Sequence, residues 1–91
     1  MNKKRNRLQV IYDILRVIKE KGGKIKPTHI LYKSNLSHQM MSEYMEELLK
    51  KEFVIEKKEA NNKTYSITEK GQAYLNQYKL IIGFTSSFGL D

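Results

Sequence analysis

An α+β fold, mainly α, is predicted for this chain by three observations. Apolar residues recur at three- and four-residue spacing over residues 7–21, 37–51 and 68–83, the signature of helices with one buried face. Two short runs, the apolar 53–55 and the alternating 64–67, lie between the second and third of these stretches and read as strands. Residues 26–51 break at Ser34-Asn35 into a short helix and a longer one, and two helices joined by so short a turn make a helix-turn-helix.

Ninety-one residues suffice for one small domain, so residues 1–91 are read as a single unit that gains from oligomerising. No cysteine is present, which excludes a disulfide framework and a thiolate zinc site. Gln9, Asp13 and Arg16 interrupt the apolar residues after the basic N-terminus, so neither a signal peptide nor a spanning helix is expected. A cytoplasmic protein follows. Seventeen Lys and Arg against ten acids give a net charge of +7, which suits a polyanion, nucleic acid before an anionic membrane.

Residues 1–6 form a basic arm. Lys3, Lys4 and Arg5, with Arg7 just beyond, are candidates for backbone phosphates, and Asn6 is the expected cap of helix one. That helix should run over 7–21 and stop at Gly22-Gly23. Leu8, Ile11, Leu15 and Ile18 make one apolar stripe, edged by Tyr12, and Val10, Ile14 and Val17 make a second. Two stripes exceed what one helix pair covers, so the C-terminal helix or a partner subunit must cover the second. Lys24-Ile25-Lys26 alternates as a short edge strand.

The helix-turn-helix occupies 27–51. Pro27 suits a first helical turn, Ile30 and Leu31 are apolar anchors, and Asn35 favours a left-handed turn. Ser37 is placed to cap the amides of Gln39 and Met40, with Leu36 and Met41 as a hydrophobic staple. Met41, Tyr44, Met45, Leu48 and Leu49 form the buried face, and a methionine stripe at this spacing is core. Gln39, Met40, Ser42, Glu43, Glu46 and Glu47 face outward, and His38 falls nearer the buried side as a packed or capping histidine.

Residues 53–67 form a hairpin wing that carries Lys57, Lys58 and Lys63, offset by Glu56 and Glu59, with Asn61-Asn62 at its turn. Thr68 caps a last helix over 68–83, in which Gly71 implies close packing. Residues 84–91 are an apolar tail that Gly83 and Gly89 interrupt. Tyr74, Tyr78, Ile81, Ile82 and Phe84 are candidates for a dimer interface. The order of elements is that of a winged helix-turn-helix: a three-helix core, a β-hairpin wing and a C-terminal dimerisation helix.

The stretches ILYKSNLS (30–37), Tyr44 and YSITEKGQAYL (65–75) resemble an archaeal winged helix-turn-helix family of small basic DNA-binding proteins, the Sulfolobus ten-a type. The likeness runs from helix one to the start of the last helix. It implies a homodimeric, chromatin-type DNA-binding protein whose last helices pair. It also places Gln39, Met40, Ser42 and Glu43 on the exposed part of the recognition helix, and Lys57, Lys58 and Lys63 on the wing. The chain departs from the family pattern in three ways. Lys51-Glu52-Phe53-Val54 stands where K-G-L-I is common, His38 stands at an often aromatic position, and the short last helix favours a compact dimer interface over a long coiled coil.

The reading that follows is a dimeric double-stranded DNA-binding protein, a transcriptional regulator or an architectural factor, associated with the nucleoid. Gln39 is the leading base reader, since a Gln amide pairs with adenine in bidentate fashion. Met40 suits a thymine methyl, Ser42 a base or phosphate, and Glu43 a cytosine amino group. Ser37, the arm and the wing lysines would hold backbone phosphates. Glu43, Glu46 and Glu47 repel phosphate, so only the first two turns of the recognition helix can lie close to a duplex. The alternative is a winged-helix protein–protein interaction module without direct DNA contact, its acidic helix face meeting a protein. An enzyme is not expected. His29 and His38 are the only histidines, no nucleophile stands with a base, and Gly22-Gly23 does not open a helix as a phosphate-cradling loop would. No metal, cofactor or small-molecule ligand is implied.

Overall fold

The computed structural model describes residues 5–22 and 24–90, so Lys3, Lys4 and Gly23 lie outside the described residues. Its elements are α1 (Arg7–Glu20), α2 (Pro27–Lys33), α3 (His38–Lys50), β1 (Val54–Glu59), β2 (Asn62–Ile67) and α4 (Glu69–Ser87).

Side chains that accept orphan amides start three of the four helices. Asn6 and Gln9 form a reciprocal capping box on α1, with bonds of 2.9 and 3.0 Å. Ser37 Oγ accepts from the Met40 amide at 3.1 Å on α3. Thr68 Oγ1 accepts from the Gly71 amide on α4 while donating to the Glu52 carbonyl at 2.7 Å, which ties the end of the wing to the end of α3. Pro27 at the start of α2 has no N–H to satisfy.

The helix ends share one geometry. The residue after each C-cap takes a left-handed conformation, at Gly22, Asn35, Glu52 and Gly89, with φ of 64°, 54°, 63° and 69°. After α2, the amides of Asn35 and Leu36 bond the carbonyls of Tyr32 and Leu31. After α3, those of Glu52 and Phe53 bond Leu49 and Leu48, and after α4 those of Gly89 and Leu90 bond Ser86 and Thr85. These are Schellman motifs, which reverse the chain and satisfy the last carbonyls. Asn35 makes the turn between α2 and α3 as its short polar side chain predicts. Glu52, the residue in place of the related glycine, holds the same conformation with a full side chain.

The core lies where α1 meets α2, β2 and α4, and where α3 meets α2 and β1. Val10, Ile11, Ile14, Leu15, Val17 and Ile18 are all buried, so both stripes of α1 are covered within one chain. Leu8, expected in the first stripe, is 52% exposed because it sits at the outer edge of the first turn. Ile30, Leu36, Met41, Met45 and Leu48 close the helix-turn-helix side, and Val54, Tyr65 and Leu75 the wing side. Full burial of each large aliphatic side chain contributes about 1.5–3 kcal/mol, which is how so small a chain holds four helices together. Gly71 packs with no room for a side chain: a Cβ there would lie 2.4 Å from the Phe53 carbonyl oxygen and 2.6 Å from Ile67 Cγ1.

β1 and β2 pair antiparallel, with Val54 opposite Ile67 and Glu59 opposite Asn62. Ile25 adds a single antiparallel bridge to Tyr65, the whole of the expected edge strand. Three expectations need correction. The hairpin turns at Ala60-Asn61, with Ala60 at φ 52°, and Asn62 is already in the ladder. Burying Val54 and Tyr65 on one face fixes the register, and the register leaves those two residues over. The last helix does not stop at Gly83 but continues to Ser87, taking in residues expected to form a tail. A helical glycine costs about 1 kcal/mol without breaking the helix, and the terminating left-handed residue is Gly89. His38 is exposed rather than packed, since it follows the cap Ser37 on the outer side of α3.

Candidate nucleic-acid interface

The start of α3 is open to solvent. Ser37, His38, Gln39, Met40, Ser42 and Glu43 are all exposed, while Met41 and Met45 on the opposite face are buried. The face expected to read bases is therefore accessible over the first two turns. Its groups are partly pre-ordered: Gln39 Nε2 donates to Glu43 Oε1 at 3.3 Å, and the Ser37 hydroxyl oxygen is engaged by the Met40 amide.

Charge on α3 is more balanced than its sequence indicates. Glu47 accepts from Arg7 and also from Lys51 Nζ, the latter at 3.0 Å. The Arg7 hydrogen bond, followed by that from Lys51, holds the Glu47 carboxyl below its ordinary range, and the same contact raises the Arg7 guanidinium. Arg5 Nη1 donates to Asp13 at 2.7 Å and Nη2 to the Asn35 carbonyl at 3.0 Å, which fastens the arm to the helix-turn-helix turn. Both arginines thus have partners inside the chain, and Glu43 and Glu46 are left as the exposed acids of α3. Ion pairs 8 and 40 positions apart leave no local pattern to read.

The wing carries its lysines on both faces. Lys58 and Lys63 stand directly opposite each other in the register, on the same face as Tyr65. Lys63 Nζ lies 3.0 Å from Glu56 and 5.9 Å from the Tyr65 ring centroid, and Glu56 is the main cause of its raised ammonium. A groove between α3 and this face is lined by His38, Ser42, Glu46 and Lys63 over a floor of Met41, Met45 and Tyr65. Ser42 of α3 and Lys63 of the wing therefore border one concavity, while Gln39, Met40, Glu43 and Lys58 lie outside it. Lys57, on the other face, pairs with Glu59 at 3.1 Å.

The residues expected at a dimer interface divide into two groups. Tyr74 and Tyr78 pack within the chain. Tyr74 Oη donates to the Leu8 carbonyl at 2.7 Å, and its ring lies edge-on to Phe53. Tyr78 lies 4.8 Å from the Tyr12 ring. Desolvation, helped by Tyr78, pushes the Tyr74 hydroxyl up to about 12. Ile81, Ile82 and Phe84 are exposed, joined by Phe88 and Leu90 and by Leu80, which is 67% exposed and falls outside the ridge read from the sequence. Among the described residues no group of three or more His, Cys, Asp or Glu is placed to hold a metal, and no helix is long and apolar enough to cross a membrane.

A family described as winged helix-turn-helix matches residues 4–85. The chain belongs to the winged helix-turn-helix family. Uncharacterized protein MJ0287 of Methanocaldococcus jannaschii is 37% identical over 78 residues, covering 85% of this chain and 74% of the relative. The solved structure of Sso10a-2, a DNA-binding protein from Sulfolobus solfataricus, superposes with a TM-score of 0.80 at 25% identity, covering 92% of this chain and 85% of that one. F93 from STIV, a winged-helix DNA-binding protein, superposes with a TM-score of 0.74 at 18% identity, covering 87% and 91% of the two chains. At that identity F93 supports the shared fold alone.

Proposed function

We propose that this winged helix-turn-helix protein binds double-stranded DNA as a homodimer, as a transcriptional regulator or a chromatin-type architectural factor in the cytoplasm and its nucleoid. The observation that carries the reading is the shared concavity of α3 and the wing, where Ser42 and His38 face Lys63. In this reading the first two turns of α3 enter the major groove. Gln39, Met40, Ser42 and Glu43 meet base edges, Ser37 meets a phosphate, and Lys57, Lys58 and Lys63 hold the adjacent backbone. Lys58 opposite Lys63 is a like-charge pair that costs stability in the free protein and is relieved by a phosphate between them. The basic arm adds attraction through Lys3 and Lys4. Arg5 and Arg7 first serve to position α1 against the turn and α3, and reach phosphate only by exchanging their carboxylates for it. The DNA-binding character of Sso10a-2, the most similar in shape of the relatives described, supports the same reading.

Dimerisation is proposed through the outer half of α4. Leu80, Ile81, Phe84 and Phe88 are exposed among the described residues, and two copies would cover them for each other. Catalysis has no part in this function. Fluorescence anisotropy with a generic duplex tests it: Lys58→Gln/Lys63→Gln should weaken binding on every sequence, whereas Gln39→Ala should change the order of preference among sequences. Equal binding by the wing variant and the wild type would remove the wing from the interface.

A further inference from the structure

The outer face of the wing carries a second basic surface, of which the recognition-helix site uses only Lys57. Ile25 bridges to Tyr65, and both side chains are buried, so Lys24 and Lys26 project to the opposite side of the sheet by strand alternation. Lys57 is the register partner of Thr64 and shares that outer side. Lys24, Lys26 and Lys57, from two separate segments, line one hollow with Asn62, Thr64 and a single acid, Glu59. Glu59 is engaged by Lys57, and neither Lys24 nor Lys26 has an ion-pair partner among the described residues.

Lysines on a short edge strand discourage strand-to-strand pairing, but that purpose needs no third lysine brought to the same hollow from the far strand. Three ammonium groups around the hydroxyl residues Thr64 and Ser66 and the Asn62 carboxamide form a surface that takes an extended polyanion. The three ammonium groups donate hydrogen bonds, and Asn62 and Thr64 can, which is the complement of phosphate oxygens. We propose that this outer face is a second contact surface for the phosphate backbone of duplex DNA, with Lys24 and Lys26 as its principal cations. It adds sequence-independent attraction to a helix that carries exposed acids, and it extends the footprint beyond α3 and the inner face of the wing. The proposal rests on the DNA-binding reading above.

The test is the salt dependence of generic-duplex binding, read by anisotropy for the wild type, for Lys24→Gln/Lys26→Gln and for a charge-matched control, Lys19→Gln/Lys79→Gln. All four lysines are exposed, so circular dichroism should show the fold unchanged in both variants. The log–log slope should lose about 0.9 for each phosphate contact removed, so roughly 1.8 for the outer-face variant. The control, which alters net charge equally, should lose clearly less. A loss in the outer-face variant no greater than in the control overturns the proposal while leaving the wild-type binding intact. Absence of wild-type binding fails the DNA-binding reading itself, and this proposal with it.

Discussion

The Arg7 guanidinium at the start of α1 bonds the Glu47 carboxylate on α3, 40 positions away. The contact positions α3 against α1 and neutralises one carboxylate on the outer side of α3. Lys51, the C-cap of the same helix, completes the neutralisation. Of the three acids on the outer side of α3, Glu47 is the one the fold neutralises, while Glu43 and Glu46 stay exposed.

This pair predicts an acid-sensitive contribution to stability. Glu47 titrates below its ordinary value of 4.5 in the folded chain, so its contribution is fully present above that value and is lost as the pH falls through the folded one. Melting temperatures of the wild type and Glu47→Gln should differ at pH 6 and converge as the pH falls below 4.5 through the lowered folded-state value. A difference that persists unchanged at the acid end contradicts the assignment.

At the other end of the pH scale, Tyr74 is the sensitive group. Its hydroxyl is raised from 10.0 to about 12, so the folded state favours the protonated form. That contribution is complete below pH 10 and is lost as the pH rises towards 12. Tyr74→Phe should cost about 1 kcal/mol at neutral pH through loss of the bond to the Leu8 carbonyl. Its stability should then fall less steeply than the wild type's between pH 10 and 12. Denaturant titrations at both pH values measure the two effects.

Glu52 offers a stabilising substitution. Its φ of 63° is strained for a side chain, and glycine relieves the strain while paying some entropy in the unfolded chain. Glu52→Gly should gain about 0.5–1 kcal/mol. For a domain of this size that raises the melting temperature by roughly 3–6 °C, measurable by calorimetry.

Gly71→Ala should act in the opposite direction. The added methyl meets a backbone carbonyl at 2.4 Å, which cannot move without displacing the end of α3 from the wing. A loss of about 2–3 kcal/mol is expected in urea unfolding. A near-neutral result would mean that α4 slides freely on the hairpin.

Ile81→Asp should give monomers in sedimentation equilibrium and weaken DNA binding, because linked half-sites bind more tightly than single ones. Ile81 is 57% exposed, so the chain itself should remain folded. A wild type that sediments as a monomer refutes the interface directly.

Much of the architecture was legible because local chemistry determines it. Asn6, Ser37 and Thr68 cap as their side chains require, Asn35 turns left-handed, and Gly71 stands where no Cβ fits. The misplaced features depend on distant partners. Asn61-Asn62 has the better turn propensity, but pairing of Val54 with Ile67 fixes the register and moves the turn to Ala60. Tyr74 and Tyr78 lie on the same apolar ridge as Ile81, and periodicity alone does not distinguish which of them meets α1 and which faces outward. Gly83 breaks a helix only where it takes a positive φ, and here that conformation falls to Gly89. At the candidate interface, exposure of Gln39, Met40, Ser42 and Glu43 followed directly from the opposite face being apolar. The partners of Arg5 and Arg7, and the convergence of Lys24 and Lys26 with Lys57, needed the tertiary fold.

The central claim is tested most directly by titrating a generic duplex with the wild-type protein across a series of salt concentrations. Binding at about 50 mM salt that weakens linearly on a log–log plot, by roughly 0.9 per neutralised phosphate, is the result expected of a protein that holds DNA through its wing and arm. No detectable binding at that salt concentration would contradict the account.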